Sequence, residues 1–481
     1  MTSDPSPLLP PRAAFPIRLY NTPARAVEAF TPIHPGRAGI YTCGPTVYAP
    51  QHLGNMRSQL FADLLRRTLA ASGLEVTHVV NITDVGHLTS DADEGDDKME
   101  AAAAKTGRSA SEIAAFYTEQ WLRDRRALNC LEPTVLPRAT DHIAEQVALV
   151  ERLEAEGLTY RTSDGIYFDT ARFPRYADFA HLRLAEQETS GRVADLDEKR
   201  QPADFALWKF SPPGVARQQE WPSPWGVGFP GWHIECSAMA TKYLGEQFDV
   251  HTGGVDHIAV HHTNEVAQSE CGFGVHPWVR YWLHNEFLDL GGVKMSKSAG
   301  GTVLLDDLVA KGIEPLAYRY FFLQARYRSQ QALSDAALQA AAAGLRNLRS
   351  RALDARAAGG DVDLDRVGPW RDRFWRALGD DLDAPEALAV ASNVVKAKEL
   401  TGSERWALLV DFDDALGLGV AGWEKDEAPD AEVPDDVLAL LDERAAARAA
   451  KDWARADAIR DELTAGGWTI VDTPDGAKVT R

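Results

Sequence analysis

The chain has 481 residues, too many for one compact core, and this length predicts about three domains. Its formal net charge of −20 argues against a generally basic surface for nucleic acid, without excluding a local basic surface. The four cysteines lie far apart and form no Cys-x-x-Cys pair, which argues against a disulfide framework. The Pro-rich first fifteen residues lack an apolar signal core, and no run approaches the roughly 18 apolar residues of a membrane span. We therefore expect a cytoplasmic protein with no membrane partner.

The first elements of the chain alternate between strand and helix. Residues 38–43 (AGIYTC) read as a buried strand, and residues 56–72 carry apolar side chains at helical spacing. Residues 75–83 (EVTHVVNIT) read as a second strand. Strand, helix and strand with a glycine at the first turn make a βαβ unit, which predicts a parallel sheet.

The remaining pattern changes several times along the chain. The next predicted elements are helices at 109–129 and 140–157, a hairpin at 160–169 about Asp164-Gly165, an irregular Pro/Trp/Gly-rich passage at 211–232, a strand at 248–254, a helix at 256–270 and a hairpin at 284–295 that turns at Gly291-Gly292.

The C-terminal part is predicted to be mainly helical. Residues 330–422 are rich in Ala and Leu and show no strand signals. Pro429 and Pro434 mark a linker. The last predicted elements are two helices, the second capped by Asp452 and ended by Gly466-Gly467, and a hairpin about Asp475-Gly476.

Two short segments have the residue types that bind phosphate. QHLGNMR (51–57) stands between the first strand and the first long helix, where a helix N-terminus attracts anions and His52 and Asn55 can donate hydrogen bonds. GGVKMSKSAGG (291–301) places Lys294 and Lys297 between glycine pairs. Lysine is a flexible point charge suited to phosphate, and glycine lets the backbone approach a ligand.

Together these segments resemble the HIGH and KMSKS signatures of class I aminoacyl-tRNA synthetases. In that family the two motifs hold ATP across the switch point of a doubly wound sheet. The resemblance implies that the two lysines stabilise charge on the phosphate oxygens as pyrophosphate leaves. The chain departs from the family at the first motif, where Asn55 replaces the usual second histidine and Leu53 replaces isoleucine.

Three further motifs indicate which class I synthetase the chain resembles. CGPTVY (43–48) ends the first strand, GWHIECS (231–237) follows the irregular passage, and HHTNE (261–265) places His261 and Glu265 four residues apart on one helix face. With GGVDH (253–257) and KMSKS in order, they resemble cysteinyl-tRNA synthetase from about Arg18 to Arg481. The positions that resemble the zinc ligands of that family are Cys43, Cys236, His261 and Glu265.

The other cysteines and histidines receive no metal role from the sequence. Cys130 and Cys271 are interpreted as small apolar residues that pack in the core. His262 is interpreted as a packed or outer neighbour of His261, and no metal role is assigned to His233, His251 or His257.

The resemblance implies an enzyme that activates L-cysteine with ATP and Mg²⁺, and then transfers cysteine to the 3′-terminal adenosine of tRNA(Cys). The residues implied to bind ATP are His52, Gly54, Asn55, Gly254, Asp256, Lys294 and Lys297, of which His52, Asn55, Lys294 and Lys297 are implied to be catalytic. Those implied to bind cysteine are Gly44, Thr83, Trp232 and Asp256, the last toward either the ammonium group or the ribose. One Zn²⁺ would select sulfur over the oxygen of serine, either by five-coordination or by displacing Glu265.

The implied fold is an α/β, doubly wound, Rossmann-type catalytic domain with an insertion, followed by an α-helical domain and a small α+β domain. The predicted segments are a flexible N-terminus at 1–17, the two halves of the catalytic domain at 18–124 and 211–300, a connective insertion at 125–210, a stem-contact region with a helical bundle at 301–425 and an anticodon-binding domain at 430–481.

Two alternative functions stay open at this point. One is a related ligase that joins cysteine to an amino sugar, a group whose members are shorter at the C-terminus. The other is a non-catalytic RNA-binding or zinc-stabilised regulatory protein, against which the retention of both lysines, His52 and all four candidate ligands argues.

Overall fold

The computed structural model describes residues 9–86, 98–181, 198–212, 214, 217–290, 293–294, 303–425, 434–450, 452–466, 468–473 and 476–480, and all structural statements refer to these. The chain divides into two compact units, Met1–Trp423 and Glu424–Arg481, each described by itself. Among the described helices, none is both long and apolar enough to cross a membrane.

The strands, in chain order, are β1 Arg18–Asn21, β2 Ala26–Ala29, β3 Arg37–Thr42, β4 Glu75–Val80, β5 Thr159–Arg161, β6 Gly165–Phe168, β7 Phe205–Phe210, β8 Gly228–Pro230, β9 Phe248–Gly254, β10 Val279–Asn285, β11 Leu288–Leu290, β12 Val293–Lys294, β13 Gln331–Ala332, β14 Thr469–Thr473 and β15 Gly476–Thr480.

The helices are α1 Leu53–Ala71, α2 Lys98–Thr106, α3 Ala110–Ala127, α4 Ile143–Ala155, α5 Trp232–Leu244, α6 Thr263–Phe273, α7 Leu305–Ala310, α8 Pro315–Leu323, α9 Asp335–Ala358, α10 Leu364–Gly379, α11 Ala384–Val394, α12 Gly402–Leu416, α13 Asp435–Ala449 and α14 Trp453–Ala465. Short 3₁₀ turns cover Ala139–His142, Thr170–Arg172, Val255–His257 and Val420–Gly422, and a π turn covers Ile258–His262.

A four-stranded parallel sheet in the order β10-β9-β3-β4 is the centre of the larger unit. The predicted βαβ unit is confirmed: β3 and β4 are parallel and α1 connects them. On its other side β3 pairs with β9, so that Ile40 stands opposite both His78 and Val250. The chain order reverses between β3 and β9, and open α/β sheets bind their ligands at such a switch point.

The inserted part contains an antiparallel sheet in the order β5-β6-β7-β8. The hairpin predicted about Asp164-Gly165 is confirmed by the pairing of Thr159 with Phe168. The passage at 211–232 is less irregular than predicted, because β8 pairs with β7 and α5 begins at Trp232. β8 has only three residues and depends on its partner strand, which a local pattern cannot reveal.

The predicted hairpin at 284–295 is longer than the antiparallel pair in the structure. Its first two residues end β10, which is parallel to β9, and the antiparallel pair is limited to β11 and β12. Leu290 pairs with Val293, and the predicted turn residues Gly291-Gly292 lie outside the described residues. The region after 330 was predicted to lack strands, but β13 pairs with β11 in parallel.

The predicted helix at 256–270 is broken into a 3₁₀ turn, a π turn and α6. In the smaller unit Asp452 caps α14 as predicted, accepting from Arg455 N at 3.0 Å. The final hairpin is also confirmed. Its pairing of Thr473 with Gly476 places Gly476, predicted as the second turn residue, at the start of β15.

A buried ion-pair group joins α1 to the helical part of the larger unit. The Asp63 carboxylate on α1 lies 2.8 Å from Arg67 Nε and 2.7 Å from Arg319 Nη2 on α8, and it accepts the Leu131 N–H. Arg319 Nε also donates to the Leu416 carbonyl at the end of α12. Burial alone would raise the pKa of Asp63, but the two guanidinium groups lower it to about 2.

We predict that Asp63→Asn lowers the free energy of unfolding by about 3–5 kcal/mol, because it leaves two buried guanidinium groups without their anion. Since the folded pKa is lowered, the contribution of Asp63 is complete above the ordinary pKa of about 4 and is lost as the pH falls toward 2. The variant should therefore lose less stability than the wild type over that range, measured by urea unfolding.

The matched control is Glu75→Gln, which removes a carboxylate paired with Arg37 where both side chains are more than 70% exposed. Such a pair contributes little in water. Equal losses in the two variants would contradict a special role for the buried group.

Candidate active site

One cavity of about 380 Å³ opens where the strands of the parallel sheet end. It lies between the ends of β3 and β9, the start of α1 and the segment after β10. The predicted site residues that line it are Cys43, Gly44, His52, Gly54, Asn55, Thr83, Trp232, Cys236, Gly254, Asp256 and His261. Glu265 lies behind this wall, fully buried. Side chains predicted from distant motifs therefore meet around one space.

The HLGN turn is held by a reciprocal cap. His52 Nδ1 accepts the Asn55 N–H at 3.2 Å, and Asn55 Oδ1 accepts the His52 N–H at 3.2 Å. Burial lowers the pKa of His52, so its ring is neutral at pH 7. Because Nδ1 accepts, the ring proton belongs on Nε2. One neutral N–H and the Asn55 amide group are thus left for a ligand at the N-terminus of α1.

The opposite end of the cavity begins at Gly44, directly after Cys43. A Cβ at Gly44 would lie 1.5 Å from the Asn81 carbonyl oxygen, so only glycine fits. Asn81 accepts the Gly44 N–H at 2.9 Å and donates to Thr83 Oγ1 at 3.0 Å. Sequence reasoning missed Asn81. Asn81 could have been found from its position near the carboxyl end of a predicted parallel strand, because ligand-binding residues gather at the carboxyl ends of such strands.

Gly254, Asp256 and Trp232 complete the wall. A Cβ at Gly254 would lie 2.3 Å from Asp256 Oδ1, so the missing side chain leaves room for that carboxylate. The Trp232 ring lies with its centre 4.7 Å from the His261 ring. These contacts place an acid and an aromatic surface beside the Cys/His cluster.

Cys43, Cys236, His261 and Glu265 form a compact cluster, with one ligand atom from each residue and all four atoms within 4.8 Å of one another. They come from the end of β3, from α5, from the π turn and from α6. His261 Nε2 lies 2.8 Å from Glu265 Oε1, as the four-residue spacing predicted. Two sulfurs, an imidazole and a carboxylate form a donor set that suits a divalent metal ion such as zinc.

The electrostatics of the cluster favour exchange of protons for a cation. Burial and the neighbouring Cys236 raise the pKa of Cys43, whereas the hydrogen bond from Cys43 lowers the pKa of Cys236 to about 7. Burial alone would lower the pKa of His261, but Glu265 and Cys236 raise it to about 10. Burial alone would raise the pKa of Glu265, but His251 and His261 lower it to about 2. A divalent ion would replace the protons on Cys43 and His261.

Three further histidines contact the cluster from outside; an outer position was considered from the sequence for His262 but not for His233 or His251. His233 Nδ1 lies 2.9 Å from His261 Nδ1, His251 Nε2 lies 2.9 Å from Glu265 Oε2, and His262 Nε2 lies 3.5 Å from Cys43 Sγ. Outer contacts of this kind orient metal ligands. Cys43, His251, His262 and Glu265 also form a second, overlapping group of possible ligands.

The two lysines of the KMSKS segment differ in what the structure shows. The backbone of Lys294 belongs to β12 and pairs with Asp289 of β11. Lys297 lies outside the described residues. Cys130 is buried in the core, and Cys271 is half-buried on α6; neither belongs to the two groups of possible ligands.

Two family models match the chain. The class I tRNA synthetase (C) catalytic domain matches residues 29–343, and the cysteinyl-tRNA ligase anticodon-binding domain matches residues 430–479. The chain is 52% identical to cysteine–tRNA ligase 1 of Burkholderia lata over 96% of this chain and 97% of the relative. It is 41% identical to the cysteine–tRNA ligase of Treponema denticola over 95% and 98% of the two chains.

Solved structures of other class I synthetases share the fold. The leucyl-tRNA synthetase of Agrobacterium radiobacter superposes with a TM-score of 0.59 at 13% identity, covering 82% of this chain and 86% of that one. The methionyl-tRNA synthetase of Mycobacterium tuberculosis gives a TM-score of 0.53 at 17% identity, covering 80% and 90%. At these identities the similarity concerns the fold alone.

We predict that Cys236→Ser lowers the metal content of the purified protein at least tenfold, because a hydroxyl replaces one of two soft ligands. Metal per chain is measured by elemental analysis after gel filtration. Cys130→Ser and Cys271→Ser are the controls and should keep the wild-type content. Loss of metal in a control, or its retention in Cys236→Ser, would contradict the assignment of the cluster.

Proposed function

The chain belongs to the cysteinyl-tRNA synthetase family, and we propose that the cavity at the ends of β3 and β9 joins cysteine to ATP and then to tRNA(Cys). The observation that carries this proposal is that a Cys/Cys/His/Glu cluster and a His-capped helix N-terminus open into the same cavity. The first suits a thiol, and the second suits a phosphate. Both belong in one site only if a thiol-bearing substrate meets a nucleotide there.

We propose Zn²⁺ for the cluster, held by Cys43, Cys236, His261 and Glu265. The donor types fit zinc, and the histidine contacts at His261 and Glu265 give the outer support that such ligands need. When bound, zinc supplies a soft Lewis acid that prefers the sulfur of cysteine to the oxygen of serine. That preference is larger than shape can give, since a pocket separates near-isosteres by only about 100-fold.

The remainder of cysteine would occupy the space between Gly44, Thr83, Trp232 and Asp256, which all line the cavity. The Gly44 backbone leaves room beside Cys43, and Asn81 fixes both Gly44 and Thr83. Asp256 offers a carboxylate for the substrate ammonium group or for the ribose of ATP. In either role it stands between the metal cluster and the HLGN turn.

The activation step would use the side of the cavity formed by the HLGN turn. An oxygen of the cysteine carboxylate attacks the α-phosphorus of ATP, a P–O bond forms, and pyrophosphate leaves to give cysteinyl-adenylate. The His52 Nε2–H and the Asn55 amide, at the positive end of α1, would donate to phosphate oxygens. Lys294 and Lys297 would neutralise charge on the leaving pyrophosphate, together with Mg²⁺ bound to ATP. Gly54 and Gly254 would let the backbone approach the nucleotide.

In the second step a hydroxyl of the 3′-terminal adenosine attacks the cysteinyl carbonyl carbon, and AMP leaves.

We propose that residues 430–481 bind the anticodon of the same tRNA(Cys). RNA loops are often read by stacking on exposed aromatic rings. Trp453, at the start of α14, is 59% exposed, whereas Trp468 is buried in the small core. Of these two tryptophans, we therefore propose Trp453 as the one that stacks on a base. The predicted cytoplasmic location agrees with this role.

We predict that Lys297→Ala lowers the rate of cysteine activation by about 100-fold, as expected when a donor to the transition state is removed. The rate is measured by cysteine-dependent ATP–pyrophosphate exchange at saturating substrates. Lys311→Ala is the control, since Lys311 pairs with the exposed Asp335 outside the cavity. Unchanged exchange in Lys297→Ala would remove this lysine from the mechanism.

We predict that the full chain catalyses cysteine-dependent exchange and charges tRNA with cysteine. Deletion of residues 430–481 should leave exchange nearly intact and weaken charging, because these residues fall within a separate compact unit. Exchange by the full chain without transfer to tRNA would favour the amino-sugar ligase. Absence of both reactions would favour a binding protein, and equal loss of both on deletion would contradict the proposed division of the chain.

A further inference from the structure

The cavity has two facing walls that come from different parts of the chain. One is the HLGN turn and the first two turns of α1, with His52, Gly54, Asn55 and Ser58. The other is the segment from Asn285 to Leu288, which leaves β10 and enters β11. A ligand between the walls contacts both at once. Their separation is therefore a property that the protein has to fix.

Arg57 connects the two walls from behind. It begins the second turn of α1 and is only 1% exposed. Its Nη1 donates to the Phe287 carbonyl at 3.1 Å, and its Nη2 donates to the Ser329 carbonyl at 2.6 Å. The planar guanidinium directs donors at two acceptors at once, which the single ammonium of lysine does poorly.

Other bonds make the second wall part of the same unit. The Glu286 N–H donates to the Tyr327 carbonyl at 2.9 Å, and β11 pairs with β13, so the segments around 287 and 329 move together. The N-terminus of α1 is also bound to Val303, which follows the KMSKS segment in the chain, because the Leu53 N–H donates to the Val303 carbonyl at 2.9 Å. Phe61 of α1 stacks on the Tyr327 ring of this unit, with ring centres 4.4 Å apart, and Arg57 adds the side-chain hydrogen bonds that join the unit to α1 next to the cavity.

We infer that Arg57 is a positioning residue that sets the distance between the HLGN turn and the wall at 285–288, and so aligns ATP for attack by the cysteine carboxylate. The inference rests on the proposed function and adds to it the last residue of the QHLGNMR segment, to which the sequence analysis assigned no role. Arg57 does not line the cavity and acts only through the backbone that it holds. Its loss should therefore lower the rate of reaction of bound substrates more than it weakens the binding of cysteine at the far end.

The test compares Arg57→Lys with Arg319→Lys. Arg319 is an equally buried arginine that also donates to backbone carbonyls, of Leu416 and Leu128, but it lies outside the cavity lining. For both variants and the wild type we would measure Tm, metal content, and the kcat and KM of cysteine-dependent ATP–pyrophosphate exchange, well below every Tm. Arg57→Gln, which can satisfy one carbonyl without charge, is the second variant if Arg57→Lys does not fold.

We expect Arg57→Lys to lower kcat by about 10- to 100-fold, the effect of a misalignment near 1 Å, with the KM for cysteine within twofold and the metal content unchanged. Arg319→Lys should lower Tm without changing kcat. An active wild type with an equally active Arg57→Lys, or an equal loss of kcat in Arg319→Lys, would overturn the role of Arg57 alone. A wild type without cysteine-dependent exchange would overturn the proposed function, and this inference with it.

Discussion

The parallel pairing of β3 with β9 is the constraint on which the candidate site depends. It places Thr42 opposite Thr252, with their hydroxyl oxygens 2.7 Å apart, and the next residue, Cys43, donates its N–H to the Thr252 carbonyl. Cys43 thus leaves the sheet beside the strand that leads to Asp256 and His261. A slip of one residue would turn Cys43 away and move His251 to the other face of β9, because side chains alternate along a strand.

Charge balance is the second constraint, and it follows from the first. Glu265 is fully buried, and burying an unpaired carboxylate costs several kcal/mol. Its two oxygens instead face His261 and His251, at 2.8 and 2.9 Å. The same carboxylate lies 4.0 Å from Cys43 Sγ. Apolar residues would fill this space without such pairing. A buried group that keeps two thiols, two imidazoles and a carboxylate in contact is therefore better explained by cation binding than by packing.

The sequence predicts best those parts that depend on local pattern. The βαβ unit, the hairpin at Asp164-Gly165 and the Asp452 cap needed only periodicity and turn chemistry. The parts that it misses depend on distant partners. β13 has two residues and exists because β11 lies beside it. The end of β10 was assigned to the next hairpin because nearly every residue of β10 is buried, on both faces of the strand, and such a strand shows no alternation of apolar and polar residues. His233 and His251 look like ordinary core histidines until the fold brings their rings to His261 and Glu265. His262 was expected beside His261, but its contact with Cys43 depends on the fold. The four-ligand set itself came from motif resemblance, since scattered Cys, His and Glu residues carry little signal alone.

Asn55 shows how the departure from the HIGH signature fits the structure. At the third position of α1 its side-chain oxygen accepts the His52 N–H while its own N–H binds His52 Nδ1. This cap requires a side chain that accepts over a short distance, which a carboxamide provides, and the same amide keeps two N–H donors for a ligand. It also leaves the ring proton of His52 on Nε2. Asn55 thus lacks the imidazole ring of the usual second histidine, but it stabilises the helix terminus that carries His52. Further along α1, Asp63 pairs with Arg319 and Arg57 donates to the Phe287 carbonyl. A fixed N-terminus of α1 therefore also fixes the position of His52 relative to Arg319 and Phe287.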